Sequence, residues 1–381
     1  MGMTDPIPAE SVRPRPAAAP GHLLAQAVTD LRAGSPVLVV DGVEAAWAFA
    51  METAADGAVM ARGDATAPWR LVLTAERGAA LGLDWRDAAP AVWPLRRLDL
   101  AVLKALADPL AVRDHARRDE VIAPAPVGAH RGVAQAVVTL VKRAELLPSA
   151  LILPVAPATD VPAMAGRERA IWLTTGEIAG FLGAGPGLRR IAEARVPLAG
   201  AETCRVVAFR PDDGGPDHLA VIVGAPDLRA PVLTRLHSAC LTGDLLGSLR
   251  CDCGDQLRGA VTRLTEAGGG VLLYLAEEGR GIGIVNKLRA YRLQDAGFDT
   301  VDANLRLGFR ADERGFSAAA AMLRALEIER VRLLTNNPAK IRALEAEGVA
   351  VTERVAHAFP PNPHNQAYLA TKAERAGHLL P

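Results

Sequence analysis

The chain has no excess of charge of either sign. Over 381 residues, 43 Lys and Arg are matched by 43 Asp and Glu, a formal net charge of +0. No global field draws such a molecule to a nucleic-acid backbone or an anionic membrane. Nor does a basic stripe interleave with aromatics as a nucleic-acid groove requires. Long unbroken apolar runs are missing, which excludes an ordinary spanning helix. The opening residues, MGMTDPIPAESVRPRPAAAP, lack a signal-peptide pattern. Cysteine is scarce, with four in the chain, and three of them (Cys240, Cys251 and Cys253) fall close together. That spacing argues for metal ligands in a reducing compartment rather than a disulfide framework. The absences together predict a cytoplasmic protein with no nucleic-acid or membrane partner.

Tryptophan and tyrosine are few and unevenly placed. All five Trp precede residue 190 and all three Tyr follow it, and Gly183, Gly185, Pro186 and Gly187 gather at the crossover. A chain of this length is long for a single core. The expected organisation is a disordered Pro/Ala-rich tail over 1–20, a domain over 21–187 and a second over 188–381. Leu23, Leu24, Ala27, Val28 and Leu31 recur at helical spacing before Gly34, and 36–40 reads as a buried strand. Residues 69–74 and 150–155 read as further strands, with a helix over 133–146. The expected class is α+β, built of two mixed α/β domains.

The stretch HSACLTGDLLGSLRCDCGDQL (237–257) dominates the second half. Its C-x10-C-x-C pattern supplies three soft ligands suited to zinc. A fourth protein ligand, for which His237 is near enough, would make the ion structural; a water would make it catalytic. Buried free thiols are the plain alternative. Two strand-to-helix junctions follow. The first is EEGRGIG (277–283), where backbone N–H groups and Arg280 could hold an anion. The second is LLTNNPAK (333–340), where an Asn cap, Pro338 and Lys340 could do the same. Each alone is an ordinary turn or capped helix; beside an open metal site they suggest hydrolysis of a phosphorylated substrate.

The motifs RLHSACLTGDLLGSLRCDCGDQL, EEGRGIGIVNKLRAYRLQDAGFDTVDANLRLGF, ADERGF, VRLLTNNPAK and NPHNQAYLATKAERAGHLL resemble GTP cyclohydrolase II, in that family's order, across essentially all of 189–381. The resemblance implies hydrolytic opening of the guanine imidazole ring of GTP, release of formate and pyrophosphate, and a diaminopyrimidinone product that enters riboflavin biosynthesis. It implies zinc on Cys240, Cys251 and Cys253, Mg²⁺ with the triphosphate, and a homodimer. It makes Tyr291, Asp312 and Arg314 catalytic, the last two as proton acceptor and nucleophile. It assigns GTP contacts to Arg235, Leu236, His237, Ser238, Ala239, Gln256, Glu278, Gly279, Arg280, Thr300, Thr335 and Lys340. Gln256 and Glu278 carry groups that match guanine edges. Ala239 departs from the family's Glu, and a guanidinium is a poor nucleophile.

The run LRAGSPVLVVDG (31–42), with LTAERGAALGL (73–83), resembles 3,4-dihydroxy-2-butanone 4-phosphate synthase. Where that family has an acidic cluster, this chain has Asp41 and Glu44 followed by Ala46, Ala48 and Ala50. The family's His-Thr signature falls on Val133 and Ala134. A hard cation then has no oxygen cage. The expectation is a degenerate N-terminal domain kept for scaffolding, dimerisation or regulation. The competing expectation for the whole chain is a GTP-binding or regulatory paralogue without turnover.

Overall fold

The computed structural model describes residues 20–85, 87–111, 117–156, 159–183, 187–377 and 379. The tail over 1–19, and Gly185 and Pro186 of the crossover, lie outside them. Two mixed sheets flanked by helices give the α+β class.

The first sheet has strands β1 (Val37–Asp41), β2 (Glu44–Ala50), β3 (Arg70–Leu73), β4 (Ala91–Pro94), β5 (Ser149–Val155) and β6 (Trp172–Thr174). Their spatial order is β4-β3-β5-β2-β1-β6. The sequence reading has no strand at β2. It forms because a two-residue turn with Gly42 at φ +59 folds the chain back, pairing Val40 with Ala45 and Asp41 with Glu44. Alternation then sends Ala46, Ala48 and Ala50 to one face and Ala45, Trp47 and Phe49 to the other. The three alanines are fully buried in the cluster that holds Val133, Ala134 and Val137 of the Arg131–Arg143 helix. Dry hydrophobic core therefore fills the place of the synthase's acidic cluster. The nearby carboxylates are engaged elsewhere: Asp41 accepts a hydrogen bond from the Thr175 hydroxyl (2.8 Å), and Glu44 accepts the His130 backbone N–H (3.0 Å).

The second sheet has β7 (Leu188–Arg195), β8 (Cys204–Pro211), β9 (His218–Gly224), β10 (Val232–Ser238), β11 (Gly269–Leu275), β12 (Arg330–Leu334) and β13 (Ala350–Val355), ordered β13-β12-β10-β11-β9-β8-β7. Strands β13, β12, β10 and β11 are mutually parallel, whereas β9, β8 and β7 continue antiparallel. The reading also lacks β7 and β13. Both lie at the edges and are mostly exposed, so neither carries an alternating pattern. The four parallel strands, β10, β11, β12 and β13, end on the same side, and parallel sheets of this kind open a ligand crevice beyond the carboxyl ends of their strands.

The two sheets are joined through buried contacts. Leu147 of the first half packs with Ile282, Ala290, Leu293, Ala303, Leu307 and Phe309 of the second. The buried Arg77 guanidinium donates to the carbonyls of Leu106 (2.8 Å) and Arg306 (2.8 Å), and the Thr74 hydroxyl donates to that of Gly308 (2.8 Å). Among the described residues no helix is long and apolar enough to cross a membrane.

Candidate active site

Beyond the end of β10 the chain makes a single wide π-type turn, Leu241–Leu245, and returns at Cys251 to begin the Cys253–Glu266 helix. This brings the sulfurs of Cys240, Cys251 and Cys253 within 4.8 Å of one another, with Cys240 and Cys251 3.7 Å apart. Zinc–sulfur bonds of about 2.3 Å in a tetrahedron put ligand sulfurs about 3.8 Å apart, so the cluster fits that ion. Gly243 makes the fold-back possible. A Cβ there would lie 2.8 Å from the Cys251 sulfur and 3.0 Å from that of Cys240. Its N–H instead donates to the Cys240 sulfur (3.3 Å), as does the Lys287 ammonium (3.0 Å). Hydrogen bonds from the neighbouring thiols, joined by Lys287, hold Cys240 far below the ordinary thiol range, and the hydrogen bonds they give to Cys240, with burial, push Cys251 and Cys253 up. A divalent cation would remove that competition.

His237 does not join the cluster. Its Nε2 lies 3.0 Å from both Asp244 oxygens, and its ring stacks on Tyr274, whose hydroxyl also donates to Asp244 (3.0 Å). Asp244 accepts the Cys240 backbone N–H as well (3.0 Å). This carboxylate therefore fixes the turn, a role no sequence motif singled out. Among the described residues no fourth Cys, His, Asp or Glu completes the metal set.

The open side of the cluster faces a cavity walled by Arg235, His237, Ser238, Ala239, Gln256, Glu278, Gly279, Arg280, Tyr291, Thr300, Arg314, Thr335 and Lys340 along with the three cysteines. Two predicted residues stand apart from it. Leu236 is fully buried among Val271, Leu273 and Leu333, and only its carbonyl reaches inward, accepting the Lys340 ammonium at 2.8 Å. Asp312 lies behind Arg314 and grips it through Nε at 2.9 Å and a terminal nitrogen at 2.5 Å. Ala239 gives its N–H to the Leu275 carbonyl (2.8 Å) and so sits in the sheet through its backbone.

The walls are cationic although the chain is neutral. Seven lining residues are Arg or Lys and a single one, Glu278, is acidic. Lys340 is buried, and desolvation, with the Arg235 and Arg314 cations, pushes its amine far below the usual lysine range. Burial likewise lowers Arg235 to about 10. Arg235 donates to the Leu334 carbonyl (2.9 Å) and to Gln256, whose amide donates in turn to Asp252. Asp252 also accepts the Lys372 ammonium at 2.7 Å, a buried pair between the two metal-side cysteines and the C-terminal helix. Glu278 accepts from Lys287 (2.8 Å) and from the Leu241 N–H (2.6 Å). Gln256 and Glu278 are thus tied into the wall, each with acceptor capacity left for a ligand. Lys287, Asp252, Lys372, Arg250 and His357 also line or support the cavity and were missed. Nothing in their local sequence separates them from surface charges.

Tyr291 stands across from the cysteines. Its hydroxyl lies 3.4 Å from that of Thr242, and the Arg250 guanidinium sits 4.6 Å above its ring. Burial raises its phenol above the ordinary value, so it holds its proton at neutral pH.

A family profile for GTP cyclohydrolase II matches residues 189–356. A GTP cyclohydrolase-2 from Azospirillum brasilense is 48% identical over 383 aligned positions, covering 99% of this chain and 98% of that protein.

The chain belongs to the GTP cyclohydrolase II family.

Because the Azospirillum match runs the full length, it takes in the N-terminal domain as well. A GTP cyclohydrolase-2 from Escherichia coli (strain K12 / DH10B) is 51% identical over 193 residues, covering 51% of this chain and 98% of that protein. Among solved structures, a two-domain 3,4-dihydroxy-2-butanone 4-phosphate synthase from A. baumannii superposes with a TM-score of 0.34 at 16% identity, covering 88% of this chain and 99% of that one. That superposition is too loose to bear on this chain.

Proposed function

We propose that the protein is a zinc-dependent GTP cyclohydrolase II. On this reading it opens the guanine imidazole ring, releases formate and pyrophosphate, and delivers the pyrimidine that begins riboflavin biosynthesis. It would act as a homodimer in the cytoplasm, with Mg²⁺ accompanying the triphosphate. One observation carries the reading: three thiols, with no fourth ligand among the described residues, face a cavity lined by seven Arg and Lys side chains.

Cys240, Cys251 and Cys253 would hold the zinc, which when bound supplies an acidified water and a Lewis acid near neutral pH. The chain's own groups do the rest. Tyr291, protonated and beside the cluster, is placed to donate its proton to a ring nitrogen as the imidazole opens. Arg235, Arg280 and Lys340 receive the phosphates, and the low protonation tendency of Lys340 reverses when an anion enters beside it. Glu278 and Gln256 offer acceptors toward the guanine edge.

Arg314 is read here as a charge that stabilises the leaving pyrophosphate. Its side chain is largely buried; desolvation opposes its charge, but the hydrogen bonds and charge of Asp312 outweigh that and raise it above its ordinary value. Asp312 is correspondingly lowered despite its burial. A guanidinium held protonated in this way has no free lone pair to attack with.

The test is GTP turnover by the zinc-loaded chain, with formate, pyrophosphate and pyrimidine followed together. Stoichiometric release of all three, lost in Cys251→Ser, supports the reading. Tight GTP binding with no product would leave a non-catalytic GTP-binding protein.

A further inference from the structure

The cavity has a lopsided construction. Among its described lining residues none precedes Arg235, so the N-terminal domain contributes no side chain to it. That domain nevertheless touches three of the elements that form its wall. These are the Gly283–Asp295 helix, which carries Tyr291, the Thr300–Leu307 helix, which begins with Thr300, and the 310–315 loop, which carries Asp312 and Arg314.

The loop contact is the most specific. Glu313 lies between Asp312 and Arg314, and its side chain is 8% exposed. One carboxylate oxygen accepts the Lys142 ammonium at 2.6 Å; the other accepts Arg310 at 2.9 Å. The two cations are not equivalent. Arg310 belongs to the same loop and is 68% exposed, so it can follow Glu313 wherever the loop moves. Lys142 projects from the last turn of the Arg131–Arg143 helix, whose apolar face is locked in the first domain's core. Of these two cations, Lys142 is the one that ties the loop to the first domain. Burial raises the Glu313 carboxyl, but hydrogen bonds from Arg310 and Lys142 more than reverse this, so the pair is ionised. The loop is also backed by the glycine turn: the Glu313 N–H donates to the Arg280 carbonyl at 3.2 Å, and a Cβ on Gly281 would lie 3.2 Å from the Glu313 carbonyl carbon.

The helix contact is built the same way. Glu52 accepts the Leu147 N–H within its own domain (2.8 Å) and the Arg289 guanidinium across the boundary (2.9 Å). Arg289 donates to Asn286 (2.7 Å), and the fully buried Asn286 donates to the Glu145 carbonyl (2.9 Å). Tyr291 and Lys287 project from the same helix into the cavity.

We propose that the N-terminal domain is a positioning device for the hydrolytic site, with Lys142 setting the Asp312–Arg314 loop and Glu52 setting the helix of Tyr291. The inference rests on the catalytic reading of Tyr291 and Arg314 given above. It assigns Lys142 and Glu52 as positioning residues, since neither reaches the cavity. Misplacing a charge-stabilising group by a fraction of an ångström acts on the reaction rather than on GTP capture, so kcat should fall while KM hardly moves.

The experiment uses the full zinc-loaded chain with Lys142→Met, Lys142→Arg and Glu52→Gln, read by GTP turnover and by amide hydrogen exchange. Lys142→Met should lower kcat about ten- to a hundredfold with KM changed less than about twofold. Exchange should quicken over 310–315 and not in β10–β12, and Lys142→Arg should restore most of both. Glu52→Gln should quicken exchange over 283–295 instead. An unchanged kcat and exchange pattern in Lys142→Met overturns the proposal, and so does exchange that rises evenly through both domains. If Lys142→Met does not fold, Glu313→Gln tests the same pair from the other side. A wild-type chain without turnover would remove the cyclohydrolase reading, while the exchange data would still decide whether Lys142 orders the loop.

Discussion

Replacing Arg314 with lysine separates a charge role from a covalent one. The native guanidinium gives Asp312 two charge-assisted hydrogen bonds, at 2.9 and 2.5 Å, and its backbone N–H gives a third at 3.1 Å. Lysine keeps the positive charge and the backbone contact but cannot present the planar fork. One charge-assisted bond is lost, worth about 1.5–3 kcal/mol, or roughly ten- to a hundred-and-fifty-fold in rate if felt wholly in the transition state. Removing the charge altogether in Arg314→Met leaves the part-exposed Asp312 with its backbone contact alone and takes the cation out of the cavity, so the loss should exceed that of Arg314→Lys. Turnover should therefore rank wild type, then Arg314→Lys, then Arg314→Met. Because Asp312 is lowered and Arg314 raised, neither changes charge between about pH 6 and 9. The pH–rate profile of Arg314→Lys should then keep its wild-type shape. The assay is steady-state turnover together with a rapid detergent quench at mildly alkaline pH, which spares a P–N bond, using GTP labelled in its α-phosphate. Protein-bound label in the wild type that disappears in Arg314→Lys would refute the charge role.

Three further outcomes follow from the geometry. Gly243→Ala places a Cβ against two of the cysteine sulfurs, so zinc affinity, read by competition with a chelator, should fall by about ten- to a hundredfold. Because burial lowers Lys340, GTP binding should take up protons at the pH values where the free amine is partly deprotonated, visible as a buffer-dependent heat in calorimetry scanned over pH and lost in Lys340→Met. Burial raises Glu277 to about 7, with one oxygen lacking a partner, so the folded state binds its proton more tightly than the unfolded chain. That contribution is complete below about pH 4.5 and is lost as pH rises through about 7. Urea midpoints should decline across that window by up to a few kcal/mol of stability, and Glu277→Gln should flatten the decline.

Much of the second half was legible because its chemistry is local. A C-x10-C-x-C run, a glycine turn after a buried strand and an Asn-capped helix each declare themselves within about fifteen residues. The supporting groups were not legible for the opposite reason. Asp244 reads as an ordinary acidic loop residue until β11 brings Tyr274 beside it. Lys372 lies more than a hundred residues from the Asp252 it neutralises. Gln256 and Glu278 carry groups that match guanine edges, but no motif shows that each is also bonded into the wall. Strand β2 was hidden because its alternation is mostly alanine, a weak strand former. Edges β7 and β13 were hidden because edge strands with solvated faces show no period.

The sequence by itself determined the grouping of three thiols, the two strand-to-helix junctions with their cations and the alanines at Ala46, Ala48 and Ala50. These follow from residue type and short spacing, which folding does not alter. Only the tertiary structure decided that His237 belongs to Asp244 rather than to the cysteines, that a neutral chain gathers seven Arg and Lys side chains around one cavity, and that Lys142 reaches Glu313. Each depends on where the parallel strands end and how the two sheets meet. Such contacts are set by packing whether they span 7 positions, as from His237 to Asp244, or 171, as from Lys142 to Glu313, and no local pattern records them.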